Sequence, residues 1–171
     1  QSAPCFIEDM PVLIPFGVDQ DPHFRITRDI APKMNKPKPA LIHNIMIPAL
    51  GGPKGKMSAS NENETIYTTD SPEVVKKKIN KYAFSGGQPD IEEHRKKGGN
   101  PDIDVSYQYL RIFFEPDDKK LKQIHDDYKS GKMLTGELKQ ILIEKINKFL
   151  TSHQQKREKA RDQLDKFLLK D

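Results

Sequence analysis

The sequence has little cysteine and no long apolar run, and both shortages exclude classes of protein. The single cysteine, Cys5, cannot form a disulfide within the 171-residue chain, so the pattern of a small disulfide-bonded secreted domain is missing. A reducing, cytoplasmic compartment is therefore expected. No apolar run approaches the roughly 18 residues that span a membrane, and we expect no membrane partner.

Several motifs that bind nucleotides, metals or acyl groups are also missing. The segment GGPKGKMSASN, residues 51–61, fails as a P-loop because Leu50 replaces the required glycine and Met57 the required Ser or Thr. Neither GxGxxG nor the GxSxG nucleophile elbow occurs. The five histidines stand far apart, so no metal site is predicted.

The length is that of one ordinary domain or two small ones. The chain begins at Gln1 without a methionine and soon enters the apolar stretch PVLIPFGV, which is an unusual start for a natural domain. We therefore expect a fragment of a longer protein.

Charge is divided unevenly along the chain. Residues 1–70 carry seven Lys and Arg against eight Asp and Glu, whereas residues 71–171 carry 22 against 17. A polyanion is expected to bind the second segment. The alternative is that its lysines only form solvated helix surfaces.

The pattern changes from α/β to all-α near residue 70. PVLIPFGVDQD predicts a short strand, Asp21 the N-cap of a helix over PHFRITRDIA, and LIHNIMIPAL a second strand from which a glycine-rich loop leaves. Beyond this loop, helices are predicted to begin near residues 71, 90, 104, 117 and 135, with Ser71 and Thr135 among the caps. The last helix is apolar up to His153 and charged beyond it.

The segment KMSAS, Lys56–Ser60, lies in the loop rich in glycine and lysine, a composition that suits close approach to phosphate groups. It resembles the KMSKS signature of class I aminoacyl-tRNA synthetases. GVDQDPHFRITRDIAP upstream, and AFSGG and IEEHR downstream, resemble in that order the carboxyl-terminal half of tryptophanyl-tRNA synthetases of the eukaryotic and archaeal type. The resemblance covers essentially the whole chain.

This resemblance implies a fold and a function. Residues 1–70 are expected to be the C-terminal part of a Rossmann-like, ATP-binding catalytic domain. Residues 71–171 are expected to be a helical anticodon-binding domain whose last helix packs back on the catalytic part. The implied activity is the activation of tryptophan with ATP and Mg²⁺ and its transfer to tRNA-Trp by a homodimer.

The resemblance also implies site residues. Gln20 is expected to accept a hydrogen bond from the α-amino group of tryptophan, and Lys56 to face the phosphates of ATP. Ala59 replaces the second lysine of the signature, which leaves Lys56 as the main cation of the loop. The expected ATP-binding set is Lys54, Lys56, Met57, Ser58 and Ser60. The alternatives are a solvated loop lysine for Lys56 and a backbone-capping amide for Gln20.

For the anticodon, the resemblance points to the turn YAFSGGQPD, in which an aromatic ring and glycines precede a helix, as in proteins that read splayed bases. The expected tRNA-binding set is Phe84, Gly86, Gly87, Gln88 and Asp90. The family usually has Arg-Asp-Thr where this chain has Gln88-Pro89-Asp90. Phe84 has a second interpretation as a core residue.

One motif of the family is missing from the sequence. No histidine is followed by x-Gly-His, so Gln20 and Lys56 are expected to form half of a site, and the chain alone is expected not to activate tryptophan. The alternative functions are a noncatalytic RNA-binding module, a tyrosyl-tRNA synthetase and, last, a structural interaction domain.

Overall fold

A computed structural model describes residues 2–7, 9–58 and 60–167, and only the backbone at positions 53, 54 and 56. In this structure the chain divides into two units, residues 1–46 and 47–171. The functional division predicted at residue 70 lies inside the second unit, so the signature segment and the helices share that unit. The assignment of functions to residues 1–70 and 71–171 stays a prediction.

The first unit contains the predicted order of strand, helix and strand. Its elements are α1 (Pro4–Ile7), β1 (Leu13–Gly17), a 3₁₀ turn (Val18–Gln20), α2 (Asp21–Ile30), a second 3₁₀ turn (Ala31–Met34) and β2 (Ala40–Asn44). β1 and β2 pair in parallel, with Leu13 opposite Ala40 and Gly17 opposite Asn44. The buried rings of Phe16 and Phe24 join the sheet to α2, with centroids 4.5 Å apart.

Two details of the prediction for this region were wrong. Asp21 is the first residue of α2 and not its N-cap, because its carboxylate accepts hydrogen bonds from Arg25 and His43 instead of from the backbone. The apolar segment LIHNIMIPAL is not one strand. It leaves the first sheet after Asn44 and resumes as β3 (Pro48–Ala49), which pairs with a different partner.

The second unit combines a hairpin with helices. Its elements are β3, β4 (Gly52–Lys56), α3 (Pro72–Tyr82), α4 (Ile91–Lys97), α5 (Val105–Tyr109) with a π turn (Leu110–Phe114), α6 (Asp118–Lys129), α7 (Thr135–Arg161) and a 3₁₀ turn (Leu164–Lys166). The core lies between α3, α5, α6 and the first half of α7. Its fully buried side chains include Val75, Ile79, Leu110, Tyr128, Leu138 and Leu142.

In the second unit, the helix starts follow the predicted caps at Ser71, Asp90 and Asp117, whereas the cap predicted at Thr135 was wrong. Ser71 accepts a hydrogen bond from the Val74 amide, and Asp117 accepts from the amides of Lys119 and Lys120. Thr135 was predicted wrongly as a cap. It is already helical, and its hydroxyl lies 3.1 Å from the hydroxyl of Tyr128. None of the described helices has the length and apolar character needed to cross a membrane.

Candidate functional site

The signature segment begins at the end of a β-hairpin. β3 and β4 are antiparallel, with Pro48 opposite Lys56 and Ala49 opposite Gly52. The sequence predicted a loop after Leu50, and that prediction was wrong for Gly52–Lys56, which forms a strand. Gly51 allows the tight connection, because a Cβ at this position would lie 2.6 Å from the carboxylate of Glu64. The hairpin therefore supports the start of the segment.

Within the segment, Met57 is partly buried against the helical core, and its amide donates to the carbonyl of Ile47 at 2.9 Å. The hydroxyls of Ser58 and Ser60 are exposed and lie 2.8 Å apart. The predicted side chains of Lys54 and Lys56, and the whole of Ala59, lie outside the described part of the structure. Two exposed hydroxyls on one turn can donate to neighbouring oxygens of a phosphate chain.

Gln20 lies at the carboxyl end of the parallel pair, where ligands bind in open α/β sheets. It is the last residue of the 3₁₀ turn that follows β1 and is partly exposed. The next residue, Asp21, accepts from Nε2 of His43 at 2.7 Å and from Nε of Arg25 at 2.6 Å. The hydrogen bond with His43, assisted by Arg25, lowers the pKa of the Asp21 carboxyl. Arg25 thus supports an acidic residue beside Gln20.

His43 was given no role from the sequence. It precedes the last residue of β2, and its register partner is Phe16, one residue before the end of β1. Its ring packs edge-on against that of Phe16, with centroids 4.8 Å apart. A polar residue at the end of the second strand was the available signal, because the carboxyl ends of parallel strands meet at one edge of the sheet.

The turn predicted to bind tRNA contains one exposed aromatic residue. Phe84 is 44% exposed, so its interpretation as a core residue was wrong. Its ring lines an open hollow of about 510 Å³ together with Gly51, Gly52 and Glu64 of the hairpin region. The ring is therefore available to stack on a planar ligand.

The other candidates of this turn have structural partners. Gly86 is buried, and the side chain of Gln88 donates to the carbonyl of Gly98 at 3.0 Å. Asp90 caps α4 by accepting from the amide of Glu93 at 2.8 Å. These contacts account for the residue types without RNA, and a role in binding tRNA stays a prediction.

A buried polar network beneath this turn was missed by sequence reasoning. The carboxylate of Asp104, which is inaccessible to solvent, accepts from the amide of Gly86 at 2.9 Å and from the hydroxyl of Tyr128 at 2.8 Å. Burial is the main cause that raises the pKa of Tyr128 to about 12. The only signal in the sequence was Asp104 at the start of a helical pattern. Its partners lie 18 and 24 residues away.

The part of the chain that the structure describes contains no candidate metal centre. Those residues contain no group of three or more His, Cys, Asp or Glu side chains that could hold an ion.

Comparison with known proteins relates nearly the whole chain to one family. The family model for class I tRNA synthetases (W and Y) matches residues 5–151. Tryptophan–tRNA ligase of Sulfurisphaera tokodaii is 59% identical over 98% of this chain and 44% of that protein. The cytoplasmic tryptophan–tRNA ligase of Homo sapiens is 50% identical over 97% of this chain and 37% of that protein.

A solved structure shows the same relation in three dimensions. Tryptophanyl-tRNA synthetase from Giardia lamblia matches with a TM-score of 0.81 at 46% identity, over 87% of this chain and 37% of that one. The chain spans less than half the length of each of these relatives.

Proposed function

Since the chain belongs to the family of class I tRNA synthetases for tryptophan and tyrosine, we propose that it provides the signature segment and the tRNA-binding helices of a tryptophan–tRNA ligase. One observation carries this proposal: KMSAS begins at the last residue of the hairpin strand β4, in a chain that is 59% identical to a tryptophan–tRNA ligase over 98% of its length. The names of the relatives support tryptophan over tyrosine as the amino acid.

In the proposed first step, a carboxylate oxygen of tryptophan attacks the α-phosphorus of ATP. The bond from this phosphorus to the bridging oxygen breaks, and pyrophosphate leaves with the electron pair. Lys56 neutralises the charge that grows on pyrophosphate, and a contact that strengthens in the transition state accelerates the reaction. Lys54 adds positive charge, and Mg²⁺ enters with ATP as part of the substrate.

The remaining predicted residues hold the substrates. Ser58 and Ser60 donate hydrogen bonds to phosphate oxygens, and the backbone at Met57 lies beside the adenine. Gln20 accepts from the α-ammonium group of tryptophan. In the second step, a ribose hydroxyl of the tRNA attacks the tryptophanyl carbonyl, and AMP leaves.

Residues 71–171 are proposed to bind tRNA-Trp as the anticodon-binding domain, with Phe84 as the stacking residue at the turn and Gly86, Gly87, Gln88 and Asp90 around it. The exposure of Phe84 supports this role. A homodimer in the cytoplasm is part of the proposal, and the compartment agrees with the name of the human relative.

The test is the variant Lys56→Ala in the intact protein that carries this chain. ATP–pyrophosphate exchange should slow by on the order of 10²-fold, since removal of one preorganised electrostatic contact typically costs this much. The KM for tryptophan should change little, because the lysine acts on the leaving group.

The matched control is Lys77→Ala, which removes an exposed lysine of α3. Exchange requires no tRNA, so this variant should match the unsubstituted enzyme. An unchanged exchange rate in Lys56→Ala would contradict the proposed function.

A further inference from the structure

A buried threonine downstream of the signature segment holds the backbone of that segment. Thr65 is 5% exposed, and its hydroxyl donates to the carbonyl of Ser58 at 2.6 Å. The same carbonyl accepts from the amide of Asn61 at 3.1 Å. Since a carbonyl oxygen has two lone pairs, both acceptor positions of Ser58 are occupied and the direction of this group is fixed.

The threonine is held in turn by a lysine of α3. The ammonium of Lys78 donates to the carbonyl of Thr65 at 2.8 Å and to Asp70 at 2.7 Å, and it lies 4.7 Å from the centre of the Tyr67 ring. The side chains of Lys78 and Asp70 are only 12% and 11% exposed. Water therefore competes little for these contacts. Removing the side chain of either Lys78 or Asp70 would leave the other charge unpaired and poorly solvated.

The anchor continues to the last long helix. The side-chain amide of Gln154 on α7 donates to the carbonyls of Thr68 and Asp70 at 2.9 and 3.1 Å. At its other end, the signature segment is held by the bond from the Met57 amide to Ile47. The segment is thus tied at its start to the hairpin and at its exit to α3 and α7.

We propose that Thr65 and Lys78 are positioning residues for adenylate formation, which orient the backbone of the signature segment at Ser58 towards the phosphates of ATP. The inference rests on the proposed function, because it assigns a reaction to this segment. Neither residue contacts the reacting atoms. Thr65 acts through the carbonyl of Ser58, and Lys78 acts through the carbonyl of Thr65. A displacement of a catalytic group by about 1 Å is sufficient to slow a reaction substantially.

The deciding variant is Thr65→Val, which keeps the shape of the side chain and removes its donor. In the intact protein, the kcat of ATP–pyrophosphate exchange should fall about tenfold, with the KM for tryptophan within about twofold, since one hydrogen bond contributes up to this factor. Thr65→Ser retains a hydroxyl and should recover most of the kcat. Each rate is divided by the concentration of active sites. A variant that is only partly folded therefore does not show a lower kcat for that reason alone.

Two controls separate positioning from general stability. Thr69→Val makes the same change at an exposed threonine four positions after Thr65, and Lys148→Met, at an exposed lysine of α7, is the control for Lys78→Met. Both controls should keep the kcat of the unsubstituted enzyme. If Lys78 acts through Thr65, the double variant Thr65→Val/Lys78→Met should be slowed less than the product of the two single effects.

The outcomes distinguish this inference from the function on which it rests. If Lys56→Ala slows ATP–pyrophosphate exchange while Thr65→Val keeps the kcat of the unsubstituted enzyme, the inference is wrong and the proposed function stands. Equal kcat values for Thr65→Val and Thr65→Ser would also overturn it. An unchanged rate in Lys56→Ala would overturn both.

Discussion

At the scale of single residues, packing explains much that could be attributed to ligand binding. A Cβ on Gly86 would lie 1.9 Å from the carbonyl oxygen of Asn100, and one on Gly87 would lie 2.3 Å from the hydroxyl oxygen of Thr135. Both distances are far below van der Waals contact. Glycine is therefore required at these positions even without RNA, and only Phe84 offers the turn an exposed aromatic surface.

The packing requirement predicts the effect of Gly86→Ala. The added methyl group has no free space and meets backbone, so the free energy of unfolding should fall by about 3 kcal/mol, at the upper end of overpacking effects. Urea unfolding followed by circular dichroism measures this change.

Gly136→Ala is the matched control for this prediction. A Cβ at Gly136 meets nothing within 4 Å, and the residue lies in α7. Alanine is a better helix former, so stability should stay the same or rise by up to about 1 kcal/mol. Equal losses in both variants would show that the contact with Asn100 is unimportant.

At the scale of elements, the sequence predicted helices better than strands. Helix starts at Ser71, Asp90 and Asp117 were recognisable because a short polar side chain bonds to amides only two or three residues away. The strand Gly52–Lys56 contains two glycines, one proline and two lysines, which have low strand propensity. It exists because its backbone pairs with Pro48–Ala49.

A cap can be tested on α6, where Asp117 accepts from the amides of Lys119 and Lys120 at 2.9 and 3.2 Å. Asp117→Ala should lower the free energy of unfolding by about 1 kcal/mol, because two amides lose their acceptor. Asp117→Asn retains a good cap and should lose less than half of that amount. The midpoints of urea unfolding compare the three proteins, and an equal loss for Ala and Asn would argue against capping.

At the scale of the whole molecule, not every basic side chain after residue 70 is exposed to solvent. Lys76, Lys77 and Lys81 of α3 are exposed, whereas Lys78 on the same helix points inward to Asp70. A basic surface on α3 that binds a polyanion must therefore leave out Lys78. The three exposed lysines are the candidates for contact with phosphates.

Their contact with tRNA has a measurable dependence on salt. If Lys76, Lys77 and Lys81 bind phosphates, changing all three to glutamine should flatten the plot of log affinity against log salt concentration, by roughly 0.7 to 0.9 per lost contact. Fluorescence anisotropy with tRNA-Trp and the intact protein measures the slope.

A triple substitution on α7, at Lys148, Lys156 and Lys159, makes the same change in net charge at other exposed positions. The slope should change less in this control. Equal slopes for the α3 variant and the unsubstituted protein would favour the simpler interpretation of a solvated helix face.

The sequence was sufficient to identify the family, the order of strand, helix and strand, and most helix starts. Each of these depends on neighbours along the chain: the spacing of KMSAS, the alternation of apolar residues, and caps that act over two or three positions. It did not reveal that Lys78 holds Thr65, that Thr65 holds Ser58, or that Asp104 binds Tyr128.

These contacts arise only when the chain is folded, because they join residues 7 to 24 positions apart. Helical spacing places Lys78 beside the buried face, one turn after Val75. However, spacing alone cannot show whether a long side chain extends into water or is held by a carbonyl and a carboxylate from another segment. Tertiary packing supplies those partners and excludes the water that would otherwise compete for the ammonium group.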